Sequence, residues 1–360
     1  MKFLKIFLIL IFIFLGGIIF SFFLKNGKVS TSTNPMPFET STSSFKFDPK
    51  NLNWELITPS APWEGRDSHW VIVFNNQIFL MGGVAGGKDF TKNPQYGTIP
   101  HKSDIWKSKD GINWEKVVDR APWGKRRSAG IVEFNGKLYL MGGWTQDFGE
   151  TKNDIWISED GEKWELILRK APWEEREGHS VFVFQNKIFL LGGVDYYKRK
   201  VFNDVWVSED GINWKKMKDP PWRPRYDQAV EVFKGKIWLV GGMDLNENVF
   251  KDIWVSDDGE NWQLITENPP WSSRHGHLLL NYKEYLWLIS GWSEKEEKGA
   301  VKDIWYSEDG ISWKKGETPK FEGREDHQGI IFQDSIWIFG GMADKKDYWE
   351  WKNDIWRSTF

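Results

Sequence analysis

Residues 203–214 read NDVWVSEDGINW, and close variants of this stretch occur six times along the 360-residue chain. The aspartate of the stretch falls at positions 104, 154, 204, 252, 303 and 354, which gives a period of 48–51 residues. Self-similarity at such a period is typical of repeat architectures, in which each repeat forms one small structural unit. We therefore expect six copies of one unit to build most of the protein.

Each repeat contains four short apolar runs and no helical periodicity, which predicts four β-strands. In the first repeat these strands are predicted over residues 67–74, 77–81, 104–108 and 113–118. The Asp-Gly step between the third and fourth strands is a strong hairpin signal. Four strands in a repeat of this length describe one blade of a β-propeller. The predicted fold class is therefore all-β, with six blades.

Other residues recur in register with the aspartate. Pairs of small residues end the second strand at 82–83, 142–143, 192–193, 241–242, 290–291 and 340–341. An arginine recurs at positions 66, 127, 176, 225, 274 and 324, and a second tryptophan at 54, 114, 164, 214, 262 and 313. Glycine pairs after the second strand, an aromatic residue in the third and a tryptophan in the fourth resemble the kelch repeat. This resemblance implies a ring of blades around a channel, with the first strand of each blade innermost.

The ends of the repeat region predict how the ring closes. The chain ends at Phe360, shortly after the third strand of the last repeat, whereas a strand around Trp54 precedes the first repeat's own first strand. We therefore expect the N-terminal strand to complete the sixth blade, which would leave no open sheet edge. The predicted propeller domain spans residues 51–360.

The segment that precedes the repeats resembles a membrane anchor. Residues 6–24 carry no charged side chain and consist almost entirely of Ile, Leu and Phe. A helix of this length is about 28 Å long, close to the thickness of the hydrocarbon core. No small-residue cleavage site follows it, so an uncleaved transmembrane signal anchor over residues 1–28 is favoured over a cleaved signal peptide.

Residues 29–50 are rich in Ser, Thr and Pro and predict a flexible linker. The expected location is the cell membrane, with a single membrane pass and the propeller on the extracytoplasmic side. The membrane is thus the first predicted partner, through the N-terminal helix.

Composition excludes several classes of function. The chain has no cysteine, which excludes a disulfide framework, a thiolate metal site and a thiol nucleophile. Residues 1–50 carry a net charge of +4, so the repeats carry −7, which is unsuited to nucleic acid. Four histidines follow an arginine by three residues, but they belong to separate blades: His69, His179, His277 and His327. We therefore predict no metal site and no cofactor.

A ligand site is expected where the sequence departs from the repeat. The kelch resemblance implies that the arginine-bearing segments and the loops between second and third strands open on one face, around the channel. Five loop aromatics and three arginines are the candidate ligand-binding residues: Tyr96, Trp144, Tyr197, Trp292, Trp349, Arg66, Arg176 and Arg324. The aromatic rings would stack on a sugar or peptide, and the guanidinium groups would bind a carboxylate or sulfate. In the alternative, the arginines bond carbonyls and carboxylates between blades, and the aromatics pack on neighbouring loops.

Three functions remain open from the sequence. The first, which is favoured because no catalytic set is recognised, is a membrane-tethered module that binds a glycan, peptide or protein. The second is a carbohydrate-active enzyme, because kelch propellers include a sialic-acid mutarotase, which needs only an acid and a base. Five acidic residues are placed to reach the channel mouth: Asp67, Glu177, Asp227, Glu325 and Asp326. The third function is a structural scaffold.

Overall fold

The computed structural model describes residues 47–86, 98–294, 299–345 and 348–360. Within these residues the chain forms six antiparallel sheets, each with four principal strands, and these sheets are the blades of a propeller. The innermost strands of neighbouring blades contact one another in a closed ring. The prediction of an all-β, six-bladed propeller is therefore confirmed.

The blades follow one another along the chain. The 3₁₀ helix Pro49–Asn51 precedes strand β1 (Asn53–Thr58). The first blade contains β2 (Trp70–Phe74), β3 (Gln77–Met81), β4 (Ile105–Ser108) and β5 (Glu115–Val118). The second contains β6 (Arg126–Arg127), β7 (Gly130–Phe134), β8 (Lys137–Thr145), β9 (Glu150–Ser158) and β10 (Glu165–Leu168). The third contains β11 (Ser180–Phe184), β12 (Lys187–Leu191), the short hairpin β13 (Val194–Asp195) and β14 (Lys200–Val201), then β15 (Val205–Ser208) and β16 (Trp214–Lys216).

The last three blades have the same order. The fourth contains β17 (Ala229–Phe233), β18 (Lys236–Val240), β19 (Ile253–Ser256) and β20 (Trp262–Thr266). The fifth contains β21 (Leu278–Tyr282), β22 (Tyr285–Ile289), the hairpin β23 (Trp292–Ser293) and β24 (Gly299–Ala300), then β25 (Ile304–Ser307) and β26 (Trp313–Lys315). The sixth contains β27 (Gln328–Phe332), β28 (Ser335–Phe339), the hairpin β29 (Met342–Asp344) and β30 (Trp349–Trp351), and β31 (Ile355–Thr359).

The sixth blade takes its outer strand from the other end of the chain. Strand β1 pairs antiparallel with β31, with Asn53 opposite Thr359 and Leu56 opposite Trp356. The sheet order of this blade is β1-β31-β28-β27. The predicted closure of the ring is therefore confirmed, and the edge of β31 is covered by β1.

The hairpin between the third and fourth strands of a blade is held by its own side chains. In the first blade, Ser108 Oγ accepts a hydrogen bond from the Gly111 N–H at 2.8 Å. Asp110 Oδ1 accepts one from the Asn113 N–H at 2.8 Å, and Trp114 Nε1 donates to the Gly111 carbonyl at 3.1 Å. Polar side chains that satisfy backbone groups in this way favour a tight turn. The recurring Ser-x-Asp-Gly stretch is thus a structural turn.

Buried tryptophans fill the spaces between blades. The tryptophan that precedes each repeated arginine is only 1–3% exposed in five of the blades: Trp63, Trp123, Trp173, Trp222 and Trp271. Phe321 takes this place before the sixth blade and is 1% exposed. Edge-on ring contacts join these residues to fourth-strand tryptophans, such as Trp63 with Trp114 at 4.6 Å between ring centroids. Aromatic packing thus replaces disulfides in holding short strands together.

The second glycine of each pair links one blade to the next. The Gly83 N–H donates to the carbonyl of Arg126 in the second blade at 2.9 Å. Its φ of 92° lies in the region that favours glycine, and a Cβ here would come within 2.5 Å of the Asp67 carbonyl oxygen. A side chain at this position would therefore clash with the start of the first strand of its own blade and disturb the bond to the next blade.

The predicted anchor and most of the predicted linker lie outside the described residues. Within the part of the chain that the structure describes, no helix is both long enough and apolar enough to span a membrane.

Ring closure is tested by two truncations. Removing residues 1–46 keeps β1 and is expected to leave a folded, monomeric propeller. Removing residues 1–60 exposes the edge of β31, and we expect this chain to aggregate and to melt at a lower temperature. Size-exclusion chromatography and thermal melts of the two proteins provide the measurement. Equal stability and equal solubility would contradict the closure.

Candidate functional site

A buried ion pair stands at the start of each blade. In the third blade, Arg176 Nη1 and Nη2 donate to Asp204 Oδ1 and Oδ2 at 2.6 and 3.0 Å. Arg176 Nη1 also donates to the Gly192 carbonyl at 2.9 Å, and Trp206 Nε1 donates to Asp204 Oδ2 at 2.8 Å. Burial opposes ionisation of Asp204, but its bonds with Arg176 keep its pKa below the ordinary value. The equivalent pairs are Arg66–Asp104, Arg126–Asp154, Arg225–Asp252, Arg274–Asp303 and Arg324–Asp354.

These pairs correct the prediction for the arginines. Arg66, Arg176 and Arg324 are at most 1% exposed, and their guanidinium groups bond carboxylates and glycine carbonyls of their own blades. They are thus buried structural residues and do not face the channel as anion-binding groups. In the second blade the paired residue is Arg126, whereas the repeat pattern indicates Arg127. The two arginines are adjacent, and the repeat spacing alone does not distinguish them.

The channel is crossed by a closed ring of backbone hydrogen bonds. It is formed by the residue two positions after each paired arginine: Ser68, Ser128, Gly178, Asp227, Gly276 and Asp326. Each N–H donates to the carbonyl of the same position in an adjacent blade, at 2.9–3.1 Å. All six residues have a positive φ, between 48° and 63°. Five of these residues line both of two cavities, of about 430 and 150 Å³, and Gly276 lines only the smaller one, so the ring divides the channel into an upper and a lower part.

The side chains that face the upper cavity come from a variable position of the repeat. The residue directly after the paired arginine is different in most blades: Asp67, Arg127, Glu177, Tyr226, His275 and Glu325. Four of these line the upper cavity, namely Arg127, Glu177, Tyr226 and Glu325. The upper cavity is therefore lined in part by residues at which the blades differ from one another.

The upper cavity is strongly acidic. Its lining includes the carboxyl groups of Glu177, Asp227, Glu325 and Asp326. Burial and the negative charge of Asp326 raise the pKa of both Asp227 and Glu325 well above the ordinary values. Burial also raises the pKa of Asp326 to about 6, although a hydrogen bond from Ser68 Oγ at 3.3 Å acts in the opposite direction. Titratable groups with such shifts are typical of functional sites.

Arg127 provides the positive charge of this cavity and is held firmly in place. Its Nε and Nη2 donate to the two carboxylate oxygens of Glu177 at 2.8 and 3.2 Å. Its guanidinium lies 4.7 Å from the ring centroid of Trp144. Trp144 is 6% exposed and also contacts the ring of His101, at 4.8 Å between centroids. Trp144 is therefore placed as the support of Arg127 and not in the lining of the cavity.

The remaining predicted aromatics have different positions. Trp349 lines the upper cavity. The ring of Trp292 contacts the ring of Trp349 edge-on, at 6.4 Å between ring centroids. Tyr197 is 64% exposed and does not line the cavity, whereas its neighbour Tyr196 does. Tyr96 lies outside the described residues. The Tyr196 ring contacts that of Tyr226 at 5.6 Å, and burial raises the pKa of both phenols.

Four buried histidines line the lower cavity: His69, His179, His277 and His327. Burial and the nearby paired arginine lower the pKa of His69 and of His179 to about 3. These imidazoles are therefore uncharged at neutral pH and pack within the channel wall. The described residues contain no cluster of three or more side chains placed to hold a metal ion.

The acidic cavity predicts an unusual dependence of stability on pH. Because the pKa of Asp326 is about 6 in the folded protein and near 4 when unfolded, its ionisation destabilises the fold as pH rises from 4 through 6. We expect Asp326→Asn to stabilise the protein by about 1–3 kcal/mol at pH 8, with the gain disappearing towards pH 4. Asparagine tolerates the positive φ at this position well. Chemical denaturation at both pH values provides the measurement.

Asp258→Asn is the matched control. Although partial burial acts in the opposite direction, hydrogen bonds from the Asn261 and Glu260 N–H groups keep the pKa of Asp258 below its ordinary value. This substitution is therefore expected to destabilise the protein at pH 8. A loss of stability at pH 8 in Asp326→Asn as well would show that the cavity carboxyl is not destabilised by its surroundings.

Comparisons with known proteins agree with the fold. The solved structure titled "Structure of YjhT" is similar, with a TM-score of 0.64, over 84% of this chain and 96% of that chain, at 17% sequence identity. A search of curated proteins found no match. A profile described as the KLHDC2/KLHL20/DRC7 kelch-repeats domain matches residues 128–341, more than half of the sequence. Together with the six blades and their glycine pairs, this match shows that the chain belongs to the kelch-repeat family.

Proposed function

We propose that this protein is a membrane-tethered, extracytoplasmic binding module that holds the end of a glycan in its upper cavity. The observation that carries this proposal is a cavity of about 430 Å³ lined by the variable residues of an otherwise regular repeat. Four of the six residues at the variable position after the paired arginine line this one concave site: Arg127, Glu177, Tyr226 and Glu325. Concave sites with apolar walls and a few convergent polar groups are typical of small-ligand binding.

The chemistry of the walls suits a sugar ring. Tyr196 and Trp349 offer aromatic surface, and Val194 and Met342 add apolar contact. Carboxyl groups of the third, fourth and sixth blades provide hydrogen-bond acceptors from several directions. A polyhydroxylated ring can donate to several such groups at once, whereas an extended peptide presents fewer donors to one closed pocket. We therefore favour a glycan over a peptide or protein segment.

The described part of the chain begins at the end of the propeller where the innermost strand β21 finishes. Phe47 packs edge-on against Phe360 at 5.0 Å and against Tyr282 at 6.0 Å between ring centroids. Tyr282 ends the innermost strand β21, whereas the backbone ring at Gly276 precedes the start of that strand. The propeller therefore begins at the face opposite the upper cavity.

Two adjacent tyrosines provide a matched test of the site. Tyr196→Ala removes a ring that lines the cavity and is expected to weaken glycan binding by about 1–3 kcal/mol. Tyr197→Ala removes an exposed ring beside it and is expected to leave binding unchanged. The measurement is a glycan array with purified protein, followed by titration of the best-bound glycan. Equal effects of the two substitutions, or a retained array profile in Tyr196→Ala, would place the site elsewhere.

An enzyme of the mutarotase kind is the second candidate. It is favoured by the raised pKa values of Asp227 and Glu325, since a carboxyl that holds its proton near neutral pH can act as a general acid. Proton NMR of freshly dissolved single anomers of the bound sugar separates the two functions. Faster anomeric exchange that is lost in Glu325→Gln would identify the enzyme, and unchanged exchange would identify the binding module.

The membrane tether is tested by fractionation. Because residues 6–24 are long and apolar enough to span a bilayer, the full-length protein is expected in the membrane fraction after carbonate or high-salt washing. A chain that lacks residues 1–28 is expected to remain soluble. Protein sequencing that finds a mature start between residues 25 and 35 would replace the anchor with a cleaved signal.

A further inference from the structure

The charge of the upper cavity is unbalanced towards the negative. Arg127 is bound in a two-pronged ion pair to Glu177, so these two charges offset each other. The carboxyl groups of Asp227, Glu325 and Asp326 line the same cavity without a second lining cation among the described residues. A ligand that fills this space meets crowded carboxyl groups, whose ionisation only a positive charge would favour.

Glu325 is a buried acceptor that lacks a donor. Its side chain is only 8% exposed and faces the cavity. His275 Nδ1 lies 3.7 Å from its Oε2, which is too long for a hydrogen bond. Burial lowers the pKa of His275 to about 4, so this imidazole is uncharged and does not neutralise the carboxyl. Among the described residues, Glu325 and Asp227 thus have no hydrogen-bond donor of their own.

The crowding of these acids determines which ligand they favour. Carboxyl groups that share a buried space repel one another when they ionise. A ligand with a positive charge relieves this repulsion and donates to the acceptors, whereas a neutral hydroxyl donates without relieving it. An anionic ligand adds to the repulsion. The cavity therefore discriminates in the order cation, neutral, anion.

The arrangement of the hydrogen-bond acceptors favours a sugar ring over a flexible side chain as the ligand. Asp227 belongs to the fourth blade, and Glu325 and Asp326 to the sixth, so acceptors face the ligand from different sides. A lysine side chain carries all its donors on one terminal nitrogen. A hexosamine distributes an ammonium and several hydroxyls around one ring, whose faces can pack on Tyr196 and Trp349.

We infer that the upper cavity recognises a glycan residue with a free, positively charged amino group, that is, an amino sugar without its N-acetyl group, through Glu325 and Asp227. This inference rests on the proposed glycan-binding function. It reverses the charge of the ligand group that the sequence predicted, because the predicted arginines are buried in ion pairs and the acids face the cavity.

Tetraglucosamine and tetra-N-acetylglucosamine are the matched probes, since they differ only in the N-acetyl groups. We expect the full-length protein at pH 6 to bind tetraglucosamine at least tenfold more tightly by calorimetry. Binding of the cation should release protons from the cavity carboxyls, so the measured heat should differ between two amine-free buffers of different ionisation heat. Glu325→Gln and Asp227→Asn should each weaken tetraglucosamine at least fivefold and reduce the proton release. Glu260→Gln, on an exposed turn, should change neither.

The outcomes separate this inference from the proposed function. Equal or tighter binding of tetra-N-acetylglucosamine would overturn the amino-sugar inference and leave glycan binding in place. Binding of neither tetrasaccharide, together with an empty glycan array, would overturn both. Binding of lysine-containing peptides in place of the sugars would overturn the glycan class while supporting recognition of a cation. Thermal melts of each variant identify any substitution that acts only by unfolding the protein.

Discussion

The buried pair between arginine and aspartate is the interaction on which the rest of the propeller depends. In each blade the guanidinium bonds the repeated aspartate and the backbone carbonyl of the first residue of the small-residue pair, which is glycine in five blades and Ser290 in the fifth. The backbone carbonyl of the same arginine accepts a hydrogen bond from the second glycine of the preceding blade. A buried ion pair gains little net stability, because desolvation offsets most of the attraction. Its contribution is therefore geometric: it fixes one backbone point in every blade relative to the next blade.

That fixed point determines what the next residues can do. The residue two positions later, such as Ser128 or Asp326, adopts a left-handed backbone and closes the hydrogen-bond ring across the channel. The residue between them lines the upper cavity in four of the six blades, and it is the most variable of the three. The backbone of the third residue thus builds the ring, whereas the cavity is lined by side chains of both the second and the third residues, such as Glu325 and Asp326. A change at the middle position alters the cavity without altering the blade.

The same division explains what the sequence could predict. Strand number, blade number and ring closure follow from local patterns repeated six times, and the structure confirms them. The partners of the arginines are 27–38 residues away, and no local pattern pairs them with the aspartates. The sequence does not show whether Arg126 or Arg127 pairs with the aspartate. Nor does it show whether Tyr196 or Tyr197 lines the cavity, because the conformation of the loop backbone determines which neighbour points inward. Four of the five acids expected near the channel mouth line the upper cavity, all except Asp67, because they follow an arginine that the repeat itself identifies.

The cavity is built at a cost to the fold. Burial and mutual repulsion of Asp227, Glu325 and Asp326 raise the pKa values of these groups and destabilise their charged forms. Apolar residues at the same three positions would avoid this free-energy cost. The remaining structure can tolerate this cost because the ring of backbone hydrogen bonds and the buried tryptophans do not depend on those side chains. A group that destabilises the free protein is stabilised when a ligand supplies the missing donor or charge. The acids that weaken the empty propeller are therefore the residues whose interactions a ligand would complete, and this is the physical reason for placing recognition at Glu325 and Asp227.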